Sequence, residues 1–402
     1  MERLYQNIIS WHFDRYQQMV FLAGPRQVGK TTVSKVLNTF NDQFYYLNWD
    51  IDKDRALILA GQTKVAHTIN LDLLQKRRPI IVFDEIHKYP NWKNFLKGFF
   101  DAYHEKIYIL VTGSSRLDIF REGGDSLMGR YFVYRMHPIT VAECVRTNVI
   151  HQEISKPTLI DDQIFKNLLN FGGFPAPFLK KNTQFSNNWK RLRRQQLFRE
   201  DIRDLTSIQE ISQLEILAGL LKDHTGQLLN LSNISQQVGV SINTTKRWLD
   251  TLETFYYCFL IRPYNKAVIR SIIKEPKVYL WDWSDVIELG ARCENFVAAH
   301  LLKATHCWTD LGLGEYGLYF VRDKDKREVD FLITKNNIPW CLVEVKNSKN
   351  KSISEHLYRF KLQLNVPHAF QVVFDAEPVD KDCFEIFDPI IVPVQTFLSQ
   401  LV

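Results

Sequence analysis

Through the first third of the chain, short apolar runs alternate with stretches whose apolar residues recur at helical spacing. "MVFLA" (19–23), "FYYLNW" (44–49), "PIIVFD" (79–84) and "KIYILVTG" (106–113) each have the length of a buried strand. Their alternation with helices predicts a parallel sheet covered on both faces. From about residue 140 to 225 the period turns helical. "FGGFPAPF" (171–178) interrupts it, because two glycines and two prolines forbid a continuous helix, so a junction or hinge is expected there.

Between 226 and 265 the pattern reads helix, glycine turn, helix. Ser232 is expected to cap a short helix ending near Val238, Gly239 to turn the chain, and Ser241 to cap a second helix. "YYCFLIRP" and "PKVYLW" then pair as flanking strands. Farther on, "ARCENFVAAHLLKA" reads as a helix, with "GLYFVR", "EVDFLI", "WCLVEVK" and "AFQVVF" as strands, a mixed module. The expected divisions are 1–145, 146–225, 226–275 and 276–402, with an α/β fold overall.

Length and composition agree with this division. A chain of 402 residues exceeds one ordinary core, and 45% hydrophobic with 24% charged residues is the balance of a folded protein. The net charge of +6 permits an acidic partner such as DNA without demanding one. Six cysteines show no metal-binding spacing and read as buried reduced thiols. No stretch approaches the ~18 apolar residues that a membrane span needs. A cytoplasmic address and no membrane partner are expected. Six basic residues between Lys190 and Arg203 read as a solvated helix face.

Chemistry enters at residues 21–37, "FLAGPRQVGKTTVSKVL". Gly24, Pro25, Arg26, Gln27, Val28, Gly29, Lys30 and Thr31 fit G-x-x-x-x-G-K-[ST], directly after a strand and before a helix. Glycines let consecutive backbone N–H groups and the helix N-terminus wrap an anion, here the phosphates of ATP. Lys30 would neutralise the β and γ phosphates, and Thr31, followed by Thr32, would hold Mg²⁺ through its hydroxyl.

The strand "IIVFD" ends in Asp84 and Glu85, at the edge where open α/β sheets bind ligands. Asp84 would take the Mg²⁺ side and Glu85 would polarise the attacking water; an ordinary strand-end carboxylate pair is the alternative, chiefly for Glu85. On the next strand Thr112, Ser114 or Ser115 would sense the γ-phosphate, with Ser114 preferred, or cap the following helix. Arg130 would reach the γ-phosphate in cis, act as a finger on a neighbouring subunit of an oligomer, or form a surface salt bridge.

At these residues the chain resembles the AAA-type P-loop ATPases that carry a C-terminal domain of unknown function. The resemblance continues through "GGFPAPF", "FREDIRDL", "TGQLLNLSNISQQVGVSINTTKRWLDTLE", "ENFVAAHLL" and "REVDFLI…LVEVK". It implies an N-terminal P-loop NTPase core, a helical lid, a winged helix and a C-terminal restriction-endonuclease-like α/β domain. One departure is visible: "WDWSD" stands where such proteins tend to carry an aspartate-threonine-glycine run.

Two further constellations follow. If the second helix of the central motif enters a DNA major groove, Asn243, Thr244, Lys246 and Arg247 are placed to touch it, although a purely protein-packing role fits equally. In the last module strand alternation puts Glu328 and Asp330 on one face, and Glu344 and Lys346 likewise. Asp330, Glu344 and Lys346 resemble the D…E-x-K arrangement of PD-(D/E)XK nucleases, with Glu294 upstream as a further acid. The expected function is an ATPase coupled to DNA-acting modules. Its alternatives are a DNA-binding regulator or defence-type effector switched by ATP, and an ATP-controlled Mg²⁺-dependent nuclease.

Overall fold

The computed structural model describes residues 1–73, 77–113, 127–149, 151–203, 206, 208–265, 275–348 and 352–402. They form two compact units: unit 1 is Met1–His137 with Thr147–Val149, and unit 2 is Pro138–Arg146 with the chain from Ile150 onward.

Unit 1 is built on a five-stranded, wholly parallel sheet in the order β2-β3-β4-β1-β5. The strands are β1 (Met19–Ala23), β2 (Phe44–Asn48), β3 (Ile80–Asp84), β4 (Tyr108–Thr112) and β5 (Tyr131–Arg135). Every residue of β1 and β3 is buried, as continuous apolar runs in a sheet covered on both faces must be. Helix Trp92–Tyr103 lays Phe95, Leu96 and Phe99 onto this core, where Phe83 meets both phenylalanine rings edge-on. Register decides what meets at the sheet's carboxyl edge: Leu22 and Asp84 both pair with Thr112, so the loop leaving β1 emerges beside both.

Unit 2 centres on a seven-stranded mixed sheet in the order β12-β11-β10-β9-β8-β6-β7. Its strands are β6 (Cys258–Pro263), β7 (Lys277–Leu280), β8 (Tyr316–Arg322), β9 (Glu328–Lys335), β10 (Ile338–Lys346), β11 (His368–Val373) and β12 (Ile390–Pro393). The antiparallel pair β6/β7, expected as strands flanking the central helices, joins the same sheet through the parallel contact of β6 with β8. The boundary placed at 275/276 therefore falls between hydrogen-bonded strands of one sheet. The central helices Leu231–Val238 and Ile242–Thr254 are joined at Gly239, whose φ of 78° suits glycine. Ser241 caps the second, accepting from Thr244 N at 3.0 Å. The first is capped by Asn230, which accepts from Asn233 N at 3.0 Å, and not by Ser232, which lies inside the first turn.

Segment Pro138–Arg146 is held in unit 2 by a fully buried ion pair. Lys303 Nζ, on helix Leu289–Asp310, donates to Glu143 Oε2 at 2.6 Å and Thr140 Oγ1 at 2.9 Å, and both charged side chains have zero exposure. Nearby, His300 Nε2 accepts from Val141 N at 3.0 Å, and burial pulls this imidazole down to about 3, so it is neutral at any ordinary pH.

"FGGFPAPF" does break the helix, which stops at Phe171 and restarts at Pro175. Its glycines are packing sites within unit 2 rather than a loose hinge. A Cβ on Gly172 would stand 2.6 Å from Asp282 Oδ1, and one on Gly173 would stand 2.4 Å from Ile139 O and 2.6 Å from the Trp283 ring. The residues pressing in belong to "WDWSD". Asp282 Oδ1 accepts from Ser284 Oγ at 2.6 Å, Trp283 Nε1 donates to Leu168 O at 2.9 Å, and Lys190 Nζ donates to Ser284 O at 2.6 Å. Arg191, Arg194, Arg199 and Arg203 form the exposed face that the charge of the run suggests, while Arg193 turns inward and lies 4.0 Å over the Phe174 ring. Gly173→Ala should lower the unfolding free energy of the chain by about 1–3 kcal/mol, as overpacking of a closed site does. Urea titration followed by tryptophan fluorescence checks it.

Candidate nucleotide site and a second carboxylate cluster

Residues 24–31 leave β1 and run directly into helix Lys30–Val36. Three of them hold positive φ: Gly24 at 148°, Gln27 at 62° and Gly29 at 107°. A side chain on Gly24 would put its Cβ 2.3 Å from Met136 O, so close backbone approach requires glycine there. Pro25 and Val28 are buried, Arg26 and Gly29 half-buried, and Gln27, Thr31 and Thr32 exposed. Lys30 Nζ is folded back onto the loop, donating to the Gly24 and Pro25 carbonyls at 2.7 Å each.

Asp84, 3% exposed, is the hub of the site. Its Oδ2 accepts from Thr31 Oγ1 at 3.0 Å and from the Tyr46 hydroxyl, and its Oδ1 accepts from Thr112 Oγ1. Three donors compensate the loss of water that would otherwise make this buried carboxylate costly. Burial, and then the bond to Asp84, push the Tyr46 phenol far up, so it stays protonated and donates to Asp84. Thr31 and Asp84 side by side at the mouth of a helix N-terminus are oxygen donors of the kind Mg²⁺ takes, so this donor set fits the ion.

Glu85 follows in the left-handed region at φ 56°, a conformation that costs a non-glycine residue energy and clusters at functional sites. Its N–H donates to Thr112 O at 3.0 Å, which aims the side chain away from the strand. Oε2 lies 3.5 Å from His87 Nε2 and 3.6 Å from Lys88 Nζ. Burial raises the carboxyl above its usual range, against the pull of Lys88, Lys30 and Arg26.

Of the readings given for Arg130, the salt bridge is the one found, and the phosphate contact in cis is not. Arg130 does not stand at this edge: its carbonyl accepts from Met19 N at 2.8 Å, at the opposite, amino end of β1. Five residues of strand at about 3.3 Å each separate it from the loop, and its guanidinium is spent on Asp101, at 2.6 and 3.1 Å. Reaching the γ-phosphate of its own chain is therefore excluded. Ser114 and Ser115 lie outside the described residues; the hydroxyl found at the site is Thr112. Sequence reasoning missed Tyr46 and Arg3. Arg3 ties the phosphate loop down from outside, donating to Val28 O and His137 O at 2.7 Å each.

In unit 2 all four residues of the D…E-x-K reading converge. Lys346 Nζ donates to Glu344 Oε1 at 2.6 Å, and Asp330 Oδ2 accepts from Val345 N at 2.9 Å on the neighbouring strand. Burial, reinforced by the Asp330 charge, raises both Glu294 and Glu344 to about 7. Two participants were not foreseen. Tyr279 donates to Glu294 Oε1 at 2.7 Å, and Lys277 Nζ stands 2.7 Å from Glu328 Oε1, 3.3 Å from Glu294 Oε1 and 3.6 Å from Asp330 Oδ1. A lysine heading the apolar run "KVYL" was the available signal.

On helix Ile242–Thr254, Asn243, Lys246 and Arg247 are exposed, while Trp248, Leu249 and Leu252 face the core. Thr244 differs, because its hydroxyl is 2.9 Å from the capping Ser241 Oγ. Asp250 is also exposed on this helix and dilutes its positive charge.

Residues 16–145 match the family described as "AAA domain". Unit 1 has a P-loop fold, and from residue 16 onward its first segment lies within this match. The AAA match runs past His137 into the segment held by unit 2. Residues 162–287 and 289–390 match two families, each described as a domain of unknown function, DUF8612 and DUF4143. The uncharacterized protein MJ1544 of Methanocaldococcus jannaschii is 24% identical over 78% of this chain and 71% of its own length. The uncharacterized protein Rv2008c of Mycobacterium tuberculosis is 21% identical over 84% of this chain and 72% of its own. Among solved structures, RuvB of Thermotoga maritima overlays 63% of this chain and 87% of its own at 15% identity and a TM-score of 0.30. AMPPCP-bound DnaA of Aquifex aeolicus overlays 62% and 87% at 11% and 0.32. Among the described residues no helix is long and apolar enough to cross a membrane.

A carboxyl raised by folding favours its protonated form, so Glu85 contributes stability below its unfolded value of about 4.5 that is lost as pH rises through the folded one. Glu85→Gln should therefore melt above the parent at pH 8, and the gap should close toward pH 4. Scanning calorimetry at the two pH values measures this.

Proposed function

We propose that the protein binds ATP·Mg²⁺ in the glycine loop of its AAA-type domain, hydrolyses it, and uses the nucleotide state to control a DNA-acting unit 2. The observation that carries the first part is the contact of Thr31 with Asp84 beside a helix N-terminus whose preceding loop already cradles an ammonium. The two carbonyls now holding Lys30 would release it to the β and γ phosphates, whose oxygens are stronger acceptors. Backbone N–H groups of the loop would take the remaining phosphate charge. Mg²⁺, held through Thr31 and Asp84, would supply charge neutralisation across the phosphates.

Glu85 is the group to receive the proton of the attacking water. Burial raises its carboxyl, and Oε2 has no hydrogen-bond partner among the described residues, both of which suit a proton acceptor. Water oxygen bonds to the γ-phosphorus, the bond to the bridging oxygen breaks, and ADP leaves with inorganic phosphate. Tyr46 and Thr112 position Asp84 and touch no reacting atom.

Glu85→Gln should keep ATP affinity within a few-fold and lower turnover about 10²–10⁴-fold, whereas Lys30→Ala should abolish binding. Calorimetric titration and phosphate release separate the two. Turnover near the parent rate in Glu85→Gln would remove the residue from this role.

The DNA assignment is supported by the helix, turn, helix and strand-pair order of a winged helix and by the exposure of Asn243, Lys246 and Arg247. With two cations and one nearby acid on that helix, binding should be weak and strongly salt-dependent. Lys246→Ala and Arg247→Ala should each reduce the slope of log affinity against log salt by about 1. Fluorescence anisotropy on duplex DNA measures it, and a salt-independent or absent signal would leave the helix a packing element.

A further inference from the structure

The D…E-x-K cluster of unit 2 has the residue types of a divalent-cation site, but most of its charge is already compensated from within. Four carboxylates, Glu294, Glu328, Asp330 and Glu344, meet three cations. Lys346 pairs with Glu344 at 2.6 Å, Arg322 with Glu328 at 2.7 Å, and Lys277 with Glu328, Glu294 and Asp330 at 2.7, 3.3 and 3.6 Å. The Lys277 side chain is only 5% exposed. This set of acids is what chiefly compensates its burial, with the Phe320 ring 5.7 Å away adding to it, since a buried ammonium without them would be strongly penalised.

Position explains why the lysine is there. It heads β7, paired with Ile261 of β6, and β6 in turn lies against β8 in the same sheet. The strand pair that follows the central helices therefore delivers a charge into the cluster carried by the helix Leu289–Asp310 and by β9 and β10. Tyr279, two residues on and so on the same face of β7, holds the same Glu294 oxygen at 2.7 Å.

A hard dication such as Mg²⁺ needs carboxylate oxygens at about 2.1 Å in near-octahedral array. Glu294 Oε1 and Asp330 Oδ1, two natural ligands, both face the Lys277 ammonium instead. Glu344 Oε2, in a residue 5% exposed, has no hydrogen-bond partner among the described residues. That orphaned oxygen is a buried carboxylate donor that the cluster's own cations leave without a hydrogen bond. We infer that Lys277 is the resident cation of this cluster, filling the position a divalent ion would take, so that unit 2 holds a closed, metal-free form of the site.

The inference uses residues of unit 2 alone and stands apart from the ATPase reading. Its test is Mn²⁺ binding to the full chain without nucleotide, read by electron paramagnetic resonance of the free ion. The parent should show no Mn²⁺ site that disappears in Asp330→Asn. Lys277→Ala should gain one site, at least tenfold tighter than anything in the parent, and the double variant Lys277→Ala/Asp330→Asn should lose it again. Dependence on Asp330 distinguishes this ion from one held at Asp84. Should Lys277→Ala require the ion to fold, far-ultraviolet circular dichroism during the Mn²⁺ titration reads the same gain as recovery of structure. An Asp330-dependent Mn²⁺ site already present in the parent would overturn the inference. So would a Lys277→Ala chain that neither binds Mn²⁺ nor recovers structure with it.

Discussion

A carboxylate at the end of a fully buried strand is tolerable only where donors converge on it, and Asp84 is held by three. Thr31 arrives from the glycine loop, Tyr46 from β2 and Thr112 from β4. Each comes from a different element, so the acid fixes the relative register of β2, β3, β4 and the helix after β1. The parallel sheet and the phosphate loop are thereby one problem with one solution. Glu85 inherits its place from this arrangement, because the backbone turn that presents it begins where the Asp84 strand stops.

The glycine loop was legible because its requirements are local. Positive φ and close backbone approach are properties of one short stretch, and only certain residues supply them. Asp84 was legible for a related reason, since an acid closing an apolar strand has no bland place to go. Tyr46 and Arg3 were not, because nothing in strand alternation says which strand will be the neighbour, or which terminal residue will reach back to Val28. For Arg130 the salt-bridge alternative is the one realised, with Asp101, because parallel topology puts the residue before a strand and the residue after it on opposite edges of the sheet. Ser232 yielded to Asn230 by two positions, where both residue types cap well and only the helix's first turn decides.

Unit 2 repeats the electrostatic theme of unit 1 with a different outcome. In both places acids gather at the ends of sheet strands. Around Asp84 the compensating groups are neutral hydroxyls, which leave its charge free to attract a cation. Around Asp330 they are ammonium and guanidinium groups, which spend it. Alternation correctly set Glu328 and Asp330 on one face, with Glu344 and Lys346 on the adjoining strand, but it could not reveal that a lysine from the β6/β7 pair completes the cluster.

The buried Glu143–Lys303 pair bears on where this protein can be cut. The AAA match extends to residue 145, which invites expression of a fragment ending there, yet that fragment would carry Glu143 away from its lysine. What remains of unit 2 would then lose the carboxylate that pairs with its buried Lys303 ammonium, and breaking such a buried pair costs about 3–5 kcal/mol. Meanwhile Thr147, whose carbonyl accepts from Asn7 at 2.9 Å, would be missing from the excised piece. The chain threads from one unit to the other and back within a dozen residues, a stitch rather than a linker.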